Sequence, residues 1–220
     1  MTDAIDIACA DGLLTTTRSV RRRLDLDRPV SRDLILECID VALQAPSSAR
    51  PDESDKMAFF VVTEPALKRG LAELYRAGQR QRIEETSTDQ SATPAPANES
   101  FQRVMASARH LSERLQDVPA IVIPCVNTDL RAVTHLADQA AWFGSVLPAA
   151  WSFMLACRAR GLGAAWTTAH LTREREVAEL LGIPSSWTQV AMLPVAYYTG
   201  SGFKPAARPA ASRVTHFDTW

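Results

Sequence analysis

The chain has 220 residues, 46% of them hydrophobic and 22% charged, with a formal net charge of -1. That length allows one large domain with a substantial core, and the composition excludes wholesale disorder. The near-neutral charge gives no general attraction to nucleic acid or an anionic membrane, so any anion site must be local.

In chain order, MTDAIDIACADGLL has acids and no basic start before its apolar residues, unlike a signal peptide. Ile5, Cys9, Leu13 and Leu14 recur at helical spacing and predict a first helix ending near the threonines at 15–17. Ser31 suits the N-cap of a second helix, RDLILECIDVALQA, with Leu34, Ile35, Cys38, Val41, Ala42 and Ala45 as its buried stripe and Pro46 at its end. MAFFVVT, residues 57–63, is a continuous apolar run that predicts a central strand. Pro65 opens a third helix, PALKRGLAELYRAGQR, which fades into a tract rich in Ser, Thr, Pro and acids. Such residues cannot fill a core, so residues 79–100 are read as a polar excursion or lid within one domain spanning 1–220.

Helical periodicity returns in SFQRVMASARHLSERL, and VPAIVIPCV, residues 118–126, predicts a second buried strand, with Pro124 pointing to an edge or an end. HLADQAAWFGSVLPAAWSFMLACRAR, from His135 to Arg160, is apolar on nearly every side, the pattern of a helix buried in a core or between subunits. Pro148 is its expected kink. Its most apolar run, residues 146–157, contains Pro148 and Ser152 and is shorter than the roughly 20 residues of a membrane span. GLGAAWTT reads as a strand, Thr172 as the N-cap of REREVAELL, and Gly182 as its C′ residue with Ile183 and Pro184 closing it. QVAMLPVAYY, residues 189–198, is the last strand before a polar tail. Strands separated by helices indicate an α/β or α+β sheet domain.

Catalytic clusters are scarce. The cysteines Cys9, Cys38, Cys125 and Cys157 form no CxxC pair, and His110, His135, His170 and His216 do not fall at metal-ligand spacing. Three of the cysteines lie in apolar runs and read as core residues of a protein in a reducing, cytoplasmic setting. No GxSxG occurs, and GLGAA at Gly161 lacks the order of a dinucleotide fingerprint. Basic residues stand out at two distant places. Arg18, Ser19 and Arg21 lie between helices, where guanidinium forks and a hydroxyl can converge on one anion, and Lys204 and Arg208 can join them if the tail folds back. A phosphate is the commonest target of such a set; the alternative is a solvated basic face, the reading given to Arg22, Arg23 and Arg28.

TTTRSVRRRLDLDRPVSRDLILECIDVALQAPSS, then GSVLPAAWSFMLACRARGLGAAWTT, EVAELLGIPSSWTQVAMLPVAYYTG and the closing FKPAARP, in that order over nearly the whole chain, resemble the nitroreductase family of FMN-dependent oxidoreductases. The resemblance implies an α+β fold, a mixed and mainly antiparallel sheet flanked by helices, assembled as an intertwined homodimer with two FMN sites at the subunit interface. The helix from His135 to Arg160 would form the dimer core, and the tail would embrace the partner. By the same comparison Arg18, Ser19 and Arg21 match phosphate and ribityl contacts, Lys204 and Arg208 their partners from the other end of the chain, and Ala165, Trp166 and Thr167 the backbone that donates beside the flavin ring. Ser47 and Ser48 stand at the family's serine positions. The asparagine, glutamine and tryptophan that usually follow are replaced by ARPDESDKM, whose Asp52, Glu53 and Asp55 would lower the flavin potential and reshape the mouth of the site.

The implied activity is ping-pong transfer of hydride from NADH or NADPH through FMN to a nitroaromatic, a quinone or a similar flat acceptor, with no catalytic side chain required. Trp142, Phe143 and Trp151 would shape the pocket or fill the core. Two other readings stay open: a flavin-dependent dehydrogenase or oxidase of a dedicated small metabolite, and an FMN-binding protein without turnover. The expected partners are a second copy and a small molecule, not nucleic acid or membrane.

Overall fold

The computed structural model describes residues 5–47, 56–88 and 99–220, with 86–88 as backbone alone. The framework is a five-stranded sheet. Strands β1 (Met57–Val62), β2 (Ala120–Val126), β3 (Leu162–Ala164), β4 (Thr188–Gln189) and β5 (Leu193–Tyr197) run in the order β1-β2-β5-β3, with β4 paired to the far end of β2. Every strand pair is antiparallel. The parallel component is a single bridge from Ser19 to Ala164.

Side chains alternate across a strand, and β2 shows what that does here. Ile121, Ile123 and Cys125 join a core with Leu71, Tyr75, Leu111 and Val177. Ala120 and Val122 join the opposite core with Ile35, Cys38, Phe153 and Cys157. The first core is capped by α3 (Pro65–Thr88), α4 (Glu99–Arg114) and α6 (Glu174–Leu181), and the second by α2 (Arg32–Ala42) and α5 (Leu136–Ala159). A strand covered on both faces reads as an unbroken apolar run, as AIVIPCV does. Each large side chain so buried contributes about 1.5–3 kcal/mol.

Local chemistry sets the helix ends. Asp6 caps α1 (Ile7–Thr16), which buries none of its residues. Ser31 caps α2, its side chain accepting from the Leu34 amide at 3.2 Å. The buried stripe of α2 is narrower than predicted, since Val41 is 44% exposed. Gly182 takes the left-handed conformation (φ 67°) after α6, and the Ile183 amide donates back to Ala178.

Several expectations are corrected. Pro124 lies in a central strand: its carbonyl accepts from Val190, so its nitrogen faces the same side, where the ladder on β2 passes from β5 to β4. Thr172 does not cap α6. It belongs to a 3-10 turn, Ala169–Arg173, and its hydroxyl donates to the Ala169 carbonyl at 3.0 Å. The last strand is split into β4 and β5. Residues 79–88 of the expected excursion are helical, as the end of α3, while 89–98 lie outside the described residues. Helix α5 continues through Pro148 and is buried over only part of its surface: Leu136 is 79%, Phe143 39% and Trp151 40% exposed. By length and composition it is sufficient to cross a membrane, with a mean hydropathy of 1.4 over its most apolar window. Its buried residues, from Ser145 to Cys157, seat it on the sheet. Cys38, Cys125 and Cys157 are buried and free, Cys125 pushed up to about 12 by burial, and Cys9 is exposed.

Candidate functional site

The chain leaves α1 at Thr17, whose hydroxyl donates to the Leu13 carbonyl at 2.6 Å. It then runs extended along the free edge of β3, where the Val20 amide donates to the Ala164 carbonyl at 2.9 Å. Gly163 permits this approach, because a Cβ there would lie 2.9 Å from that of Val20. The segment presents Arg18 and Arg21 half-buried and Ser19 exposed. Among the described residues no carboxylate forms an ion pair with either arginine.

Beyond β3 the backbone continues beside this segment. The Ala165 amide donates to the Pro194 carbonyl at 3.3 Å and the Thr167 amide to the Met192 carbonyl at 3.1 Å, so both are committed within the fold. Alternation turns the Trp166 amide the other way, and neither it nor the Thr168 amide donates to a described residue. Of the predicted backbone stretch, Trp166 therefore carries the N–H that faces outward, with that of Thr168 just past it.

Helix α3 supplies a wall that sequence reasoning missed. The Tyr75 hydroxyl shares a 2.7 Å hydrogen bond with Thr167 Oγ1, and Arg82 Nη1 donates to Thr168 Oγ1 at 3.3 Å. Between them Gly78 meets the following turn so closely that a Cβ would lie 2.1 Å from the Ala169 carbonyl oxygen. Tyr75 is buried, and desolvation raises its phenol above the usual range against the nearby positive charges of Arg21 and Arg82. The signal was the i, i+3, i+7 spacing of Tyr75, Gly78 and Arg82, which places all three on one helix face.

Lys204 and Arg208 are exposed in the tail, and no hydrogen bond or ion pair joins them to Arg18 or Arg21 within one chain. The root of the tail is fixed by two residues with other expected fates. Arg23, read as solvated, donates to the carbonyls of Thr199 (2.6 Å) and Gly202 (3.0 Å) and lies 4.3 Å from the Phe203 ring centre. Arg158 stands 4.7 Å from the same ring and donates to the Tyr198 hydroxyl. Arg28, also read as solvated, lies over the Tyr197 ring at 3.4 Å. Ser47 is exposed just after α2; Ser48, and with it Ala49, Arg50, Asp52, Glu53 and Asp55, lie outside the described residues.

A cleft of about 820 Å³ opens between the start of α5, the β2–α5 connection and the turn before α6, lined by Leu130, Arg131, Phe143, Leu171 and Glu174 among others. None of the predicted cofactor residues lines it. Arg131 bridges Asp129 (2.7 Å) and Glu174 (3.1 Å) across its floor, an exposed network of small energetic weight. Among the described residues no cluster of His, Cys, Asp and Glu is placed to hold a metal.

Solved structures share this fold. A nitroreductase-like family protein from Bacillus cereus superimposes with a TM-score of 0.66 at 19% identity, covering 99% of this chain and 98% of its own. An iodotyrosine deiodinase bound to FMN and 3-iodo-L-tyrosine gives 0.66 at 19% identity, over 94% and 98%. An FMN-dependent nitroreductase from Clostridium difficile R20291 gives 0.61 at 16%, over 95% and 99%. No curated protein matches. The model of the nitroreductase family matches residues 14–197, from the end of α1 to the end of β5. With the sheet, the arginine segment on β3 and the flanking α3 all inside that span, the chain belongs to the nitroreductase family of flavin-dependent oxidoreductases.

Proposed function

We propose that the protein binds FMN and passes hydride equivalents from NADH or NADPH to a flat acceptor such as a nitroaromatic or a quinone, working as an intertwined homodimer. The observation that carries the reading is the pair of outward amides at Trp166 and Thr168 laid beside Arg18, Ser19 and Arg21. A flavin ring presents nitrogen and oxygen acceptors along one edge, and FMN ends in a phosphate. A backbone edge that offers two amides next to guanidinium forks therefore fits the group at both ends. The FMN-bound deiodinase and the FMN-dependent nitroreductase, sharing this fold, support the choice of cofactor.

When bound, FMN supplies the hydride chemistry, which asks for no protein nucleophile or obligatory base. The chain's own part is binding and orientation. Arg18, Ser19 and Arg21 hold the phosphate and ribityl chain, the Trp166 and Thr168 amides orient the ring, and the Ala165 and Thr167 amides keep that backbone rigid through Pro194 and Met192. By the family resemblance, Ser47 and Ser48 would serve the same cofactor. Lys204 and Arg208 complete the phosphate grip from a second copy, a role supported by their exposure in the tail and by the exposed apolar face of α5.

Purified protein is expected to quench FMN fluorescence saturably. Anaerobic NADH or NADPH should bleach the bound flavin and a nitroarene restore its colour. Absence of saturable quenching overturns the reading, and bleaching by an organic substrate alone reverses the direction of electron flow to that of a dehydrogenase.

A further inference from the structure

Two cysteines that stand far apart in the sequence come together in the core that α2 and α5 cover. Ile35, Cys38 and Ala42 are the buried face of α2, and Phe153, Ala156 and Cys157 belong to the buried face of α5 packed against it. Across that packing the Cys38 and Cys157 side chains meet in a hydrogen-bond contact, both fully buried. The charges acting on Cys38 are those of Arg160 and Glu37, which pair with each other at 3.5 Å. The contact makes the two thiols unequal. The hydrogen bond from Cys157 holds Cys38 below the usual thiol range in spite of its burial, while the same contact, together with burial, pushes Cys157 up. Cys125 lies in the other core, where its thiol donates to the Ile123 carbonyl.

We infer that Cys38 and Cys157 form a peroxide-sensitive dithiol that closes to a disulfide and fastens α2 to α5. The step balances with a hydroperoxide as oxidant. The Cys38 thiolate attacks one peroxide oxygen and breaks the O–O bond, leaving a sulfenic acid; the proton that Cys38 gave up returns to the departing oxygen, which leaves as an alcohol, or as water when the oxidant is hydrogen peroxide. The Cys157 sulfur then attacks that of Cys38: the S–S bond forms, the hydroxyl leaves as water with the Cys157 proton, and one electron pair has passed from the two thiols to the peroxide. Buried cysteines are ordinarily inert. This pair differs because the thiol held as thiolate already has its resolving partner in contact. Access asks for little, since α2 is an outer helix with Leu36 and Val41 exposed, and a local fluctuation of one helix admits a molecule close to water in size. Small thiols reopen the bond, so the dithiol is the resting form in a reducing compartment.

The experiment uses the full-length chain in a Cys9→Ser background, which removes the exposed thiol that would cross-link separate molecules. Native protein is treated with hydrogen peroxide, quenched with catalase, unfolded in urea with iodoacetamide and weighed by mass spectrometry. Untreated protein should take three labels, at Cys38, Cys125 and Cys157. Treated protein should take one, at Cys125, and yield a peptide pair joining Cys38 to Cys157, and dithiothreitol should restore all three. The urea midpoint should be higher for the oxidised form, because the bond closes a long loop in the unfolded chain. In Cys157→Ser dimedone should trap a sulfenic acid at Cys38, whereas in Cys38→Ser the remaining Cys157 should stay a labelled thiol. The peptide map of the parent decides the matter even where a serine variant fails to fold. Treated protein that still takes three labels, labels lost without the joined peptide, a bond that forms only when peroxide is added in urea, or a disulfide that involves Cys125 overturns the inference.

Discussion

His170 is fully buried in the turn between β3 and α6, and neither ring nitrogen has a hydrogen-bond partner among the described residues. Burial disfavours the imidazolium and lowers the histidine from 6.5 to about 3. The folded pKa then lies below the unfolded one, so between these values the unfolded chain binds the extra proton. Stability is complete above pH 6.5 and falls as the pH drops, by up to about 1.4 kcal/mol per pH unit. The exposed carboxyls of Glu64 and Asp129, both held low by hydrogen bonds, add their own loss only below their ordinary values of 4.5 and 3.8. Urea titrations between pH 6.5 and 5 therefore isolate His170, and His170→Leu should flatten the slope by about one proton. At this scale the sequence offered candidates where chemistry is carried by side-chain type: Arg18, Ser19 and Arg21 stood out by residue type and by their place between helices. It was opaque where a role depends on a neighbour's position, as with Arg23, which holds the tail, and with the Trp166 amide, freed only because Ala165 and Thr167 are engaged elsewhere.

Helix α3 depends on one missing side chain for its seat. In Gly78→Ala the new Cβ would stand 2.1 Å from the Ala169 carbonyl oxygen and 2.4 Å from Thr172 Oγ1, and backbone cannot move aside as a flexible side chain does. Either the helix lifts or the turn shifts, at a cost of about 1–3 kcal/mol. The substitution should lower the urea midpoint and, by drawing Tyr75 and Arg82 off Thr167 and Thr168, weaken FMN affinity at least tenfold by fluorescence titration. An unchanged affinity would detach α3 from the site. Periodicity located nearly every element, because burial on one or two faces writes directly into the order of apolar residues: the alternation in β2 and the Ser31-capped stripe of α2 are examples. It failed where tertiary pairing overrode local preference. Pro124 is tolerated in mid-sheet only because the ladder changes partner beside it, and the polar end of α3 is helical despite having Ile83 as its last large apolar residue.

For the molecule as a whole, the unevenness of α5 decides what is missing from a single chain. Its second half is packed against the sheet, while Leu136, Phe143 and Trp151 are exposed, Phe143 at the wall of the 820 Å³ cleft. If a second copy covers these residues, as proposed, Phe143→Glu places a charge in that contact. Light scattering should then show the dimer giving way to monomer. FMN occupancy should fall in parallel if, as proposed, Lys204 and Arg208 reach the phosphate from the other copy. A monomeric wild type that still holds FMN would refute the shared site. The family resemblance is what puts this assembly forward, since composition could not separate a core helix from an interface helix: both demand the same apolar residues.

The clasp of Arg23 and Arg158 around Phe203 gives the two tail cations unequal freedom. Lys204 follows the clasp directly, within about 4 Å of it along the chain, whereas Arg208, five residues on, has a reach of up to roughly 18 Å. If both serve the phosphate as proposed, Lys204 is the more closely aimed of the two. Opening the clasp would loosen the lysine far more than the arginine.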